Sequence, residues 1–149
     1  MHADDDHCPY FIGFDIDKIN RLKATYESAM ATAYKLLPEG TNWNSGKEIT
    51  KYFKDWFDID LKSIQIKELE QHYEYLDHDS TEFLTIYGLT AYLKMKYTVS
   101  NYLDCVLKHH RKGVVYLRYF NGKLSMPNRR PLSHSEEVKS CITHTNLKE

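Results

Sequence analysis

Residues 41–63, TNWNSGKEITKYFKDWFDIDLKS, decide the fold class, because they carry a helix start signal, an apolar stripe and a stop within one short stretch. Ser45 followed three residues later by Glu48 is the pattern of a capping box. In it the serine oxygen accepts the third backbone N–H and the glutamate reaches back to the serine's own N–H. Ile49, Tyr52, Phe53, Trp56 and Phe57 then recur at spacings of three and four, the period of an amphipathic helix, which is expected to end near Asp58. That spacing predicts that Tyr52, Phe53, Trp56 and Phe57 belong to the core and are not base-stacking platforms. Lys47, Lys51 and Lys54 recur on the opposite face.

The same period extends outward in both directions. Upstream, Ile16, Ile19, Leu22, Tyr26, Ala29, Met30, Ala33 and Leu37 form a long helical stripe from Asp15, stopped by Pro38 and Gly40. Downstream, Ser63 is a candidate cap for a short helix with Ile66, Leu69, Tyr73 and Leu76 facing inward. Asp79 with Glu82 is a second capping-box candidate, opening a long helix to about His110. Its stripe runs through Phe83, Ile86, Tyr87, Thr90, Leu93 and Tyr97, then Val99, Leu103, Val106 and Leu107, and shifts by a step near Thr98, where a kink or break is expected. After Gly113, VVYLRYF alternates as a strand, and Asn121-Gly122 is the favoured pair of a type I′ hairpin turn, so KLSM is expected to return as a second strand. Beyond Pro131 the composition reads as an irregular, mobile tail.

These elements predict a mainly α fold: an antiparallel bundle of long helices with a small C-terminal β-hairpin and an irregular tail. The expected divisions are residues 1–112, 113–131 and 132–149. At 149 residues and 42% hydrophobic residues, the chain is long enough for one core. A net charge of −1 hides a polarised distribution. Residues 105–135 hold seven lysines and arginines and no acid, whereas residues 55–82 hold nine acids against Lys62 and Lys67. That basic third suggests an anionic partner.

Three cysteines far apart, Cys8, Cys105 and Cys141, exclude a disulfide framework, and the absence of an apolar run of roughly 18 residues excludes a membrane span, so the chain reads as cytosolic. His2, Asp4, Asp6, His7 and Cys8 lack a closing ligand, and Cys105 with His109 lacks a second pair, so no metal site is expected.

Taken in order, three stretches resemble family A DNA polymerases, the class of DNA polymerase I, over about residues 11–107 and more loosely to Pro131. GFDIDKINRLKATYESAMATAY is similar to the long helix that leads into the family's thumb, NWNSGKEITKYFKDWFDID to the next thumb helix, and YGLTAYLKMKYTVSNYL to the second long thumb helix. GVVYLRYFNGKLSMPN is similar to the first palm strands, with Lys123 where the family has arginine and a shorter intervening loop.

The resemblance implies a thumb segment that grips primer-template duplex DNA without reading sequence. Its implied contacts are Asn42, Asn44, Ser45, Lys47, Lys51, Lys94, Lys96, Thr98, Asn101, Arg118, Lys123 and Arg129. Asn42, Asn44, Ser45 and Lys47 stand at a helix start, where free N–H groups and the helix dipole favour phosphate. The family's palm carboxylates, its two Mg ions and its fingers helix have no counterpart in these 149 residues, so catalysis is expected only beside a separate polymerase chain, in a bacterial or phage-infected cell. Gly88 and Tyr92 depart from the pattern, standing where the family carries DNA-facing arginine and lysine. They favour an alternative, a thumb-derived module that binds a replication protein.

Overall fold

In the structure, a computed structural model, β1 (Tyr10–Phe14) turns directly into α1 (Ile16–Leu36). Next come α2 (Gly46–Phe57), α3 (Ile66–Tyr73), α4 (Thr81–Thr98), a π-helical turn (Val99–Leu103) and α5 (Asp104–His109). The chain continues with β2 (Val114–Phe120), β3 (Lys123–Ser125), a 3-10 turn (Leu132–His134), α6 (Glu136–Lys139) and β4 (Ile142–Leu147). Residues 10–147 are described, so the group His2, Asp4, Asp6, His7 and Cys8 lies outside them. The fold is mainly α, as the periodicities require. No helix among the described residues is long and apolar enough to cross a membrane. The chain divides into two units, Ser28–Met95 and the union of Met1–Glu27 with Lys96–Glu149. Their boundaries fall inside α1 and α4.

In the unit Ser28–Met95 the core is built from Trp43, Ile49, Phe53, Leu69, Ile86 and Leu89, all essentially without solvent contact. Trp43 sits outside every periodic stripe, yet its indole Nε1 donates to the Pro38 carbonyl at 2.9 Å, which satisfies the one polar atom of a buried ring. Tyr34 meets Tyr92 edge to face at 5.3 Å, while Leu37 lies beside Gly88, so the end of α1 runs antiparallel to α4.

The helix ends of this unit differ in detail from the expected caps. Ser45 caps α2 through Oγ, which accepts from Glu48 N at 3.3 Å, but the Glu48 carboxylate accepts from Asn42 N at 3.0 Å and not from Ser45 N. Ser45 N is already bonded to the Asn42 carbonyl, which leaves the glutamate free to tie down the chain one step earlier. Glu68 repeats the device at α3. Its carboxylate accepts from Lys62 N at 2.7 Å and from Ser63 Oγ at 3.0 Å, so Ser63 serves that glutamate instead of capping the helix. The cap of α4 is Ser80, whose Oγ accepts from Phe83 N at 3.1 Å, and not Asp79. At the far end of α2, Asp58 takes a left-handed conformation with φ 54°, and its N–H returns to the Lys54 carbonyl, the stop the sequence predicts.

In the other unit the expected hairpin is part of a four-stranded antiparallel sheet of order β3-β2-β1-β4. Asn121 and Gly122, with φ 52° and 77°, make the two-residue turn between β2 and β3. The stretch expected to be an irregular tail is ordered. Ser135 Oγ accepts from Val138 N at 3.1 Å to cap α6, Val138 and Cys141 are buried, and β4 pairs with β1. Isolated, the segment shows too few apolar residues to declare itself; paired to β1, its backbone groups are satisfied by a strand more than a hundred residues away. The stripe shift near Thr98 marks no break. The helix continues through the π turn, where Asp104 N reaches Val99 O.

Candidate nucleic-acid interface

Strand β2 builds the interface by simple alternation. Val115 and Leu117 are buried on one face of the sheet, which leaves Tyr116, Arg118 and Phe120 exposed on the other. Phe11 of β1, directly opposite in register, holds the Tyr116 ring edge to face at 4.4 Å. Lys123 is exposed opposite Phe120, across the turn.

A loop, residues 126–131, brings Arg129 to this face and carries Arg130 next to it in sequence. Met126 N donates to the Arg130 carbonyl and Arg129 N to the Met126 carbonyl, both at 2.8 Å, closing a tight turn in which Arg129 has φ 68°. A non-glycine residue in that region is held by its surroundings, and two anchors are evident. Asn128 Nδ2 donates to the Asn101 carbonyl at 2.8 Å, inside the π turn, while its Oδ1 accepts from Arg130 N. Tyr102, buried at 1% exposure, donates its hydroxyl to the Pro131 carbonyl at 2.9 Å. Burial pushes the Tyr102 phenol up to about 12, so it stays a neutral donor throughout the ordinary pH range.

The loop's arginines lie on aromatic rings. The Arg129 guanidinium sits 4.9 Å from the centroid of Phe120, and that of Arg130 sits 5.5 Å from Tyr97. None of Arg118, Lys123, Arg129 and Arg130 is within ion-pair distance of a carboxylate among the described residues. Tyr116, Arg118, Phe120, Pro127 and Arg129 border a groove of about 350 Å³. Unopposed guanidinium groups with exposed aromatic rings can bind phosphates by charge and nucleobases by stacking.

Several of the helix residues implied by the polymerase resemblance have partners within the chain. Asn42 Oδ1 accepts from Asn44 N, and Asn44 Oδ1 accepts from the Tyr92 hydroxyl at 2.7 Å. Ser45 Oγ is taken by the cap. Lys51 pairs with Asp55 at 3.0 Å, and Lys54 with Asp58 and Asp60. Lys94 pairs with Glu70 at 2.7 Å, a contact that raises the lysine's affinity for its proton and lowers that of the carboxylate. Lys47 is exposed on the first turn of α2. Lys96 and Thr98 are half-buried, and Lys96, two residues from Lys94 on one helix, cannot share its face. Asn101 contributes its carbonyl to the loop anchor.

Gly88 and Tyr92, the positions where the resemblance implies cations, point inward, toward Leu37 and Asn44. Trp56, expected in the core, is 72% exposed and stacks on Tyr52. The alternation in VVYLRYF carried the signal for Tyr116 and Phe120, but nothing in the sequence links Asn101 or Tyr102 to the arginine loop. No protein-family model, curated protein or solved structure was found to match the chain.

Proposed function

We propose that this chain is the thumb-and-first-palm segment of a split family A DNA polymerase, gripping primer-template duplex without sequence specificity. The grip comes chiefly from the sheet and loop cations Arg118, Lys123, Arg129 and Arg130. The observation that supports this reading most directly is that these four cations share one unit with exposed Tyr116 and Phe120 and have no acidic partner among the described residues. In this reading a second polymerase chain supplies the palm carboxylates, and with them Mg.

The test is fluorescence anisotropy with a primer-template duplex, from about 50 to about 200 mM salt, the range over which phosphate contacts weaken steeply. The wild-type chain should bind at the low end. Replacing Arg118 and Arg129 together with alanine should reduce the slope of log affinity against log salt by about 2, roughly 0.9 for each lost phosphate contact. Absence of binding at about 50 mM salt, or a double variant with unchanged slope, refutes the proposal.

The inward orientation of Gly88 and Tyr92 favours a second reading, a thumb-derived module that binds a replication protein. A partner retained after nuclease treatment supports this reading, and one lost on that treatment refutes it.

A further inference from the structure

The groove beside the exposed face of α2 is lined by Glu39, Gly40, Glu48, Tyr52, Asp55 and Trp56 and encloses about 430 Å³, within the range of ligand-binding clefts. Its principal wall is Trp56, a large ring left 72% exposed although its helix has an apolar core side. The ring is held, not loose. Trp56 stacks on Tyr52 at 5.9 Å and 28°, and Tyr52 in turn meets the edge of buried Trp43 at 4.9 Å. An aromatic chain thus runs from the core to the groove. The turn at Gly40, with φ 90°, also lines the groove.

Charge then selects the occupant. Glu39, Glu48 and Asp55 contribute three carboxylates against Lys51. Lys51 is matched by Asp55 at 3.0 Å, and one oxygen of Glu48 is held by Asn42 N, while Glu39 is exposed and in no ion pair among the described residues. An indole face bordered by carboxylates is the complement of a planar cation: the guanidinium stacks on the ring and its N–H groups meet the oxygens.

We infer that the Trp56 groove docks an arginine-bearing basic segment of a partner protein, with a guanidinium laid on Trp56 and directed toward Glu39. The duplex-binding face described above plays no part in it.

The two tryptophans make the test direct, because Trp43 is 1% exposed and Trp56 is 72% exposed, so acrylamide quenching reports almost entirely on Trp56. The probe is acetylated tetra-arginine amide, added to the full chain. Saturating peptide should cut the quenching constant at least twofold, whereas tetra-lysine should protect much less. Peptide affinity, followed by anisotropy of a labelled copy, should fall at least tenfold in Trp56→Ala and about threefold in Glu39→Gln, which keeps the groove's shape. Unchanged affinity in Trp56→Ala, or peptide binding that leaves Trp56 quenching unaltered, overturns the inference. So does protection that grows with protein concentration in the absence of peptide, since the occupant is then a second copy of the chain. Primer-template duplex should leave Trp56 quenching as it is, so loss of duplex binding and loss of peptide docking are read separately.

Discussion

Replacing Tyr102 with phenylalanine removes one hydroxyl from the interior, and its effect on stability should fade as pH rises. At neutral pH the variant loses the 2.9 Å hydrogen bond to the Pro131 carbonyl and leaves that oxygen without its donor. The expected cost is about 1 kcal/mol. The wild-type phenol, however, ionises at about 12 in the folded chain, against an ordinary value of 10. A raised acid pKa means that the folded state favours the neutral form, so the contribution is fully present below pH 10 and is lost as pH climbs toward 12. By about pH 11 the wild type should have forfeited roughly 1 kcal/mol of stability that the phenylalanine variant never had to lose. The wild-type advantage should therefore vanish near that pH. Urea unfolding of both proteins, at about pH 8 and about pH 11, measures the difference directly. A stability difference that is the same at both values would mean that Tyr102 is not buried as described.

Three further substitutions test the helical unit. Gly88→Ala should stabilise the chain by about 0.5–1 kcal/mol in thermal unfolding. A Cβ there meets Leu37 Cδ2 at an ordinary 3.5 Å, and a helix interior gains from losing glycine's freedom. Ser45→Ala should cost about 1 kcal/mol by removing the α2 cap. Asp79→Ala should change stability by less than about 0.5 kcal/mol, because Ser80 caps α4; equal losses at the two positions would refute the cap assignment.

The polymerase resemblance placed some of its helix contacts on side chains that have partners within the chain. Lys94 is an example. In sequence it is an exposed helix lysine near a tyrosine; in the structure it is held by Glu70, twenty-four residues earlier, a pairing that no local spacing announces. Trp56 errs the other way. Its spacing matches the stripe of Ile49 and Phe53, but it lies at the edge of that stripe, and only the position of the neighbouring turn decides whether an edge ring is covered. For Arg118 the sequence did better, since alternation with Val115 and Leu117 fixes its face as soon as one side of the sheet is buried.

What the residues determined alone is the set of local decisions: α2 from Ser45 to Asp58, the turn at Asn121-Gly122, and the stripe shift that became the π turn at Val99–Leu103. Each depends on atoms within about five residues of one another, so the pattern carries it. The pairing of β4 with β1, the bracket from Asn128 to Asn101 and the exposure of Trp56 were decided by tertiary structure. They follow from which distant surfaces meet, and a chain's own periodicity specifies that a face is apolar without specifying what will cover it.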